Sequence, residues 1–172
     1  MRRSRAMEEV GLRDEQPGVA AIEAIYRTKL GQFRRVATGM LGDPQAAQDA
    51  VQDGFVRAIK DRGSFRGDGP LEAWVWGCVL NATRTSARRR RPVLDLSQPP
   101  PQSDTVETDP DEHVRRLIRQ LPERQRFVLF LRYFADLDYG TIAAILGVAP
   151  GTVAAALHVA HASVRGALKE DD

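Results

Sequence analysis

The sequence predicts an all-α protein made of two small helical domains joined by an acidic, proline-rich linker. Three observations carry this. Apolar residues recur at helical spacing through most of the chain, with hardly a stretch of strand-like alternation. A proline-rich segment with only acidic charge interrupts that pattern near its middle. Charge is also segregated: residues 1–91 carry 17 Lys and Arg against 11 Asp and Glu, residues 92–113 carry none against 6, and residues 114–172 carry 8 against 6.

At 172 residues there is room for two such domains, and a hydrophobic share of 42% supplies their cores. No apolar run reaches the length of a membrane span, and the basic start MRRSR lacks the apolar stretch of a secretory signal. The single cysteine, Cys78, cannot form an internal disulfide, which fits a reducing compartment. The expectation is a cytoplasmic protein without membrane insertion.

Residues 1–18 have no helical period and read as a mobile arm closed by Pro17-Gly18. From Val19 to Leu41, Ile22, Ile25, Tyr26, Phe33, Val36, Ala37 and Met40 mark an amphipathic helix, stopped by Gly42-Asp43-Pro44. Ala46 to Lys60 gives the cleanest helical stripe, Ala47, Ala50, Val51, Phe55, Ala58 and Ile59. Its other face presents Asp49, Gln52, Asp53, Val56 and Lys60, either a solvated surface or a protein-binding one. Gly54 lies inside this helix and weakens it by about 1 kcal/mol relative to alanine, so packing has to hold it.

Asp61 to Pro70 holds three glycines and a proline and reads as a loop. Its Phe65 and Arg66 are suited either to clamp an unstacked base or to plug the core. Leu71 to Arg91 is a long helix with two apolar sides. Leu71, Trp74, Val75, Cys78, Val79 and Ala82 form the main stripe, and Trp76, Leu80 and Thr83 form a second. A polar strip of Asn81, Arg84 and Arg88 separates them. The run Arg88-Arg89-Arg90-Arg91 suits the negative end of the helix dipole and makes a phosphate-binding cluster. Residues 92–113 are the linker, extended at Pro99-Pro100-Pro101.

Residues 114–168 form the second domain. Val114, Leu117, Ile118 and Leu121 mark a short helix. Pro122 opens another with Phe127, Val128, Phe130, Leu131 and Phe134 inside. Asp138 then caps a helix carrying Ile142, Ala143, Ile145 and Leu146. Gly147 breaks it, Val148 fills the corner and Pro150 starts a further helix, where its missing N–H costs nothing. Val153 and Leu157 face back at i, i+4 spacing. This is helix-turn-helix grammar, whose second helix is shaped for a DNA major groove. Residues 169–172 form an acidic tail.

No glycine-rich phosphate loop, Cys-x-x-Cys pair or nucleophile elbow is present. His158 and His161 lie three apart without a third metal ligand nearby and read as surface histidines. Asp49 and Asp53 share a helix face, but nothing in the sequence supplies the cleft that acid–base chemistry requires. The expectation is a protein that is not an enzyme and needs no cofactor.

The runs LGDPQAAQDAVQDGFVRAIK and FRGDGPLEAWVWGCVLNATR, with the arginines after them, resemble region 2 of the bacterial sigma-70 superfamily. LPERQRFVLFLRYFADLDYGTIAAILGVAPGTV resembles region 4. Two such regions and a short linker, spanning roughly residues 20 to 168, are similar to the extracytoplasmic-function (ECF, group IV) sigma factors. The resemblance implies a subunit that binds core RNA polymerase and directs it to promoter DNA. Asp49, Gln52, Asp53 and Val56 would meet the coiled coil of the β′ clamp. Phe65, Arg66, Trp76, Asn81, Arg84, Arg88 and Arg89 would bind and melt the −10 element. The linker would run toward the RNA exit path, and region 4 would pack on the β flap. There Arg126, Thr141, Thr152, His158 and Arg165 would meet the −35 element, with Arg132 supporting. An anti-sigma factor is a further implied partner, for which the Trp76–Leu80 side would suit a helix.

The sequence departs from the family at several points. Ala154, Ala155 and Ala156 stand where basic residues usually follow Gly-Thr-Val, and Val159-Ala160-His161 replaces an Arg-Ala-Arg. Gly77 and Leu80 occupy positions that are often basic, and Asp138 replaces a Ser or Thr cap. From Pro150 to Val164 there is no Lys or Arg, so the stronger DNA grip is expected at Asn81 to Arg91. Two other readings stand beside the leading one: a stand-alone helix-turn-helix regulator that binds as a dimer, and a sigma-like interaction protein without productive promoter binding.

Overall fold

A computed structural model describes residues 17–90 and 110–170. These form seven α-helices: α1 (Val19–Leu41), α2 (Pro44–Lys60), α3 (Leu71–Arg90), α4 (Pro110–Gln120), α5 (Glu123–Tyr133), α6 (Tyr139–Leu146) and α7 (Pro150–Glu170). A single 3-10 turn, Arg62–Ser64, lies in the loop before α3. No strand occurs among the described residues. The N-terminal arm as far as residue 16, the expected linker as far as residue 109, and Arg91 lie outside them.

Helices α1, α2 and α3 pack pairwise as the first unit. α1 ends where Gly42 turns left-handed (φ 70°) and donates its N–H to the Thr38 carbonyl at 2.7 Å. Asp43 then starts α2: its Oδ1 accepts from the Gln45 and Ala46 N–H groups at 2.8 and 3.2 Å, and Pro44 follows as the first helical residue. The α2 stripe lies inward as read, with Ala47, Ala50, Val51, Phe55 and Ala58 buried. Gly54 is there because α2 meets α3 backbone to backbone: a Cβ on it would stand 2.6 Å from the Val79 Cα. Phe33 of α1 anchors the aromatic centre, 5.0 Å from Phe55 and 3.9 Å from Trp76 between ring centroids.

α3 presents faces other than those expected. Trp76, Leu80 and Thr83, read as a second stripe whose Trp76–Leu80 side could take a partner helix, are buried with Val75 and Val79, and Trp76 and Leu80 are 0% and 2% exposed. Trp74 and Cys78, placed on the main stripe, are only half-buried and line a surface hollow instead. The reason is geometric. α1 and α2 both pack on α3, and Val75, Trp76, Val79, Leu80 and Thr83 are buried together as one stripe spanning the two expected ones.

In the second unit α5 buries five consecutive residues, Phe127 to Leu131, because α1, α6 and α7 all pack on it. Asp138 caps α6, its Oδ1 accepting from the Thr141 N–H at 2.9 Å. Gly147 turns left-handed (φ 65°), and Val148 donates its N–H to the Ala143 carbonyl at 3.0 Å. Val153 and Leu157, 0% and 2% exposed, close α7 onto this turn. α4 begins at Pro110, four residues before the expected start of the second domain, and α7 continues to Glu170, two past that domain's expected end.

The two units share one continuous core. Gly39 of α1 lies flat against the Phe130 ring, where any Cβ would collide. Arg35 Nε donates to the Phe134 carbonyl at 2.9 Å.

Gly54→Ala is expected to destabilise the first unit by about 1–3 kcal/mol despite better helix propensity, because its methyl meets backbone that cannot step aside. Chemical denaturation of the full chain checks this.

Candidate nucleic-acid and protein interfaces

Two surfaces of the first unit bring the predicted residues together. On α2, burial of the alanine stripe leaves Asp49, Gln52, Asp53 and Val56 exposed along the opposite face. Their offsets of three, four and seven residues make them one contiguous patch. Val56 is 49% exposed, an apolar side chain left in water one turn beyond Asp53. Such a patch of mixed chemistry suits a protein partner.

The second surface is a hollow of about 450 Å³ between the glycine loop and α3. Phe65, Arg66, Trp74, Cys78 and Asn81 are among its lining residues. Phe65 meets Trp74 edge to face, with ring centroids 5.7 Å apart. Trp74, Asn81 and Arg88 follow one another every seven residues of α3 and so line up along one side. Arg84 lies beside them, its Nη1 donating to Asn81 Oδ1 at 3.3 Å. Aromatic rings at one end and guanidinium groups toward the other are what an unstacked base and its backbone require. Burial pushes the Cys78 thiol above its ordinary value, with the Asp61 charge adding to the effect.

Three expected residues stand differently. Trp76 is sealed against Phe33 and has no face for a base; its Nε1 is buried without a partner among the described residues. The tryptophan of the hollow is Trp74. Its distance from Asn81, seven residues, signals the shared side that Trp76, at five, lacks. For the same reason no Trp76–Leu80 surface exists to receive a partner helix. Arg89 lines a separate groove between α2 and α3 with Asp49, Asp53 and Arg90. Arg90 is tied to the α2 cap, its Nη2 donating to Asp43 Oδ2 at 2.6 Å. That guanidinium, with the Ala46 and Gln45 N–H groups, holds the Asp43 carboxyl below the usual carboxylate value.

In the helix-turn-helix, His158 and Arg165 are exposed, and seven residues apart they share one side of α7. Thr152 lies a third of a turn round and is half-buried. Thr141 and Arg126 serve the fold. Thr141 Oγ1 donates to Asp138 Oδ2 at 2.7 Å, and Arg126 Nη1 donates to the Arg119 carbonyl at 2.8 Å across the α4–α5 corner. Arg132 likewise donates to the Leu137 carbonyl and to Asp136. Thr141's N–H, then its hydroxyl, hold the Asp138 carboxyl below its ordinary value. His161 Nε2 is 2.8 Å from the Tyr133 hydroxyl, which accounts for its ring.

Residues 25–93 match the family description of sigma-70 region 2, and residues 112–160 match sigma-70 region 4. The chain belongs to the sigma-70 family, in its extracytoplasmic-function group. It is 30% identical over 134 residues to the ECF RNA polymerase sigma factor SigM of Mycobacterium tuberculosis, covering 76% of this chain and 68% of that one. It is also 30% identical over 124 residues to the RNA polymerase sigma-H factor of Pseudomonas aeruginosa, covering 60% of this chain and 63% of that one. The match thus spans about two thirds of each relative's length. Its fold is similar to that of the sigma factor RpoE of Bartonella quintana, solved with the anti-sigma factor NepR. There the TM-score is 0.64 at 22% identity, over 88% of this chain and 99% of that one.

The two capping carboxyls set an acid limit. Their folded values lie below 3.8, so the stabilisation is fully present above that pH and is lost as pH falls through the lowered values. Asp43→Asn and Asp138→Asn are each expected to lower the melting temperature at pH 7 and to flatten the acid-side decline; melting curves from about pH 2 to pH 7 check this.

Proposed function

We propose that this chain is a promoter-specificity subunit of RNA polymerase, without catalysis of its own. The observation that carries this is the hollow at the loop–α3 junction, with Phe65, Arg66, Trp74 and Asn81 converging on one base-sized space. In this reading it holds a base extruded from the −10 element. Aromatic contact offsets the few kcal/mol that unstacking costs. Arg84 and Arg88 take the adjoining backbone phosphates. The Asp49, Gln52, Asp53 and Val56 face docks on core polymerase, for which the family resemblance names the β′ clamp coiled coil, and region 4 meets the β flap. His158, Arg165 and Thr152 meet the −35 element, with Arg126 and Thr141 holding the helix-turn-helix in shape. An anti-sigma partner is supported by the neighbouring fold solved with one.

A second reading, a sigma-like interaction protein, is favoured by one observation: α7 carries no Lys or Arg before Arg165. Each phosphate contact absent from the interface flattens the salt dependence of DNA affinity by about 0.9 in slope.

Transcription in vitro with purified core polymerase on genomic promoter fragments decides between the two. A promoter-specific transcript is expected; core binding without one establishes the interaction protein instead. Asp53→Arg should weaken core binding by about tenfold or more, roughly 1.4 kcal/mol, with the melting temperature unchanged. Trp74→Ala should abolish open-complex formation, read by permanganate footprinting, while Trp76→Phe leaves it intact. The reverse order of effects would return the base-stacking role to Trp76.

A further inference from the structure

A separate pocket, with no residue of α3 in its wall, lies where α1 meets α4 and the end of α5. It encloses about 520 Å³, within the range of small-ligand sites. Three guanidinium groups line it, Arg34 and Arg35 from α1 and Arg119 from α4. No carboxylate does so among the described residues. Asp43, flanked in sequence by the lining residues Gly42 and Pro44, has its carboxyl engaged by the Gln45 and Ala46 N–H groups and by Arg90.

Part of this positive charge serves the fold. Arg35 Nε donates to the Phe134 carbonyl at the end of α5, and Arg119 Nη1 lies beside Gly42 at the end of α1, 3.7 Å from where a Cβ would stand. Cations suit both helix ends. Arg34 has no such duty: it is exposed and makes no hydrogen bond or ion pair among the described residues. The bond of Arg35 uses Nε alone and leaves its Nη groups for another acceptor. Like charges gathered without an acid between them repel, and an anion among them removes that cost. Phe134 adds a ring to the same wall, half-buried and met edge to face by Phe130 with centroids 5.0 Å apart.

We infer that this pocket binds a phosphate-bearing anion, either a nucleoside polyphosphate or an inorganic phosphate chain. Arginine presents a planar fork that matches phosphate oxygens, so Arg34 and Arg35 supply the geometry as well as the charge. In a nucleotide, the base meets Phe134. The lining comes from both units, so a bound anion touches the two at once and stabilises the folded chain. None of the residues proposed to meet promoter DNA or core polymerase lines this pocket, and the inference does not rest on those roles.

Isothermal titration of the full chain with ATP and, separately, with inorganic tripolyphosphate tests this. Saturable binding at one site per chain is expected, weakening as salt is raised. Tighter binding of ATP assigns a nucleotide, with its base on Phe134; equal binding assigns the phosphate chain. Arg34→Ala should lower the affinity by about tenfold or more while leaving the melting temperature of the unliganded chain unchanged. Arg88→Ala, in the arginine run of α3, should leave the affinity within about twofold. Failure of both probes to bind overturns the site, as does an affinity that survives Arg34→Ala and falls with Arg88→Ala. Promoter-specific transcription by the holoenzyme does not depend on either result, so the two readings fail separately.

Discussion

The backbone contact between α2 and α3 at Gly54 and Val79 sets the rest of the first unit. With no side chain at 54, α3 comes close enough for Val75, Trp76, Val79 and Leu80 to bury together against Phe33 and the α2 stripe. That contact fixes the rotation of α3 about its axis. The rotation in turn points Trp74 and Asn81 into the hollow and leaves Arg88 exposed beyond them. A methyl group at one glycine would disturb both the core and the candidate base site, because they are two sides of the same helix.

Electrostatics is organised around that geometry. Carboxylates on the exposed face of α2 and arginines at the end of α3 lie close, yet Arg90 is held by Asp43 and Arg84 by Glu123, so only part of the positive charge is unpaired. The pair at Asp43 couples the start of the proposed polymerase-docking helix to the end of the proposed DNA-binding one. Any displacement of one helix end is felt by the other through a single carboxylate, whose first oxygen caps and whose second takes the arginine.

Legibility in the sequence followed the clarity of the periodic signal. α2 alternates small apolar and polar residues cleanly, so its buried stripe and its exposed Asp49–Val56 face both read correctly, as did the Asp138 cap and the Gly147 turn. α3 misled because it is apolar on both sides: two tryptophans two positions apart offered two phases, and the neighbouring helices choose between them. Gly54 read as a weakness until α3 supplied its reason. The roles of Thr141 and Arg126 were hidden for another cause, since side-chain bonds to a cap and to a helix-end carbonyl leave no trace in spacing. Nor does a linker's composition reveal that the domains it joins will share a buried seam.

Asp138 carries a consequence of its own. A helix N-terminus is a natural seat for an anion, with free N–H groups and the positive end of the dipole aimed outward. At α6 that seat is filled from within by a full negative charge, where a neutral hydroxyl would have left room for a backbone phosphate. Together with an α7 empty of lysine and arginine up to Arg165, this leaves the α6–α7 pair with few groups for a phosphate backbone. If this unit reads DNA as proposed, its residence on a duplex is governed by the partners that carry it there. On the proposed reading, that surface samples many sequences quickly and dwells only where the first unit has already taken hold.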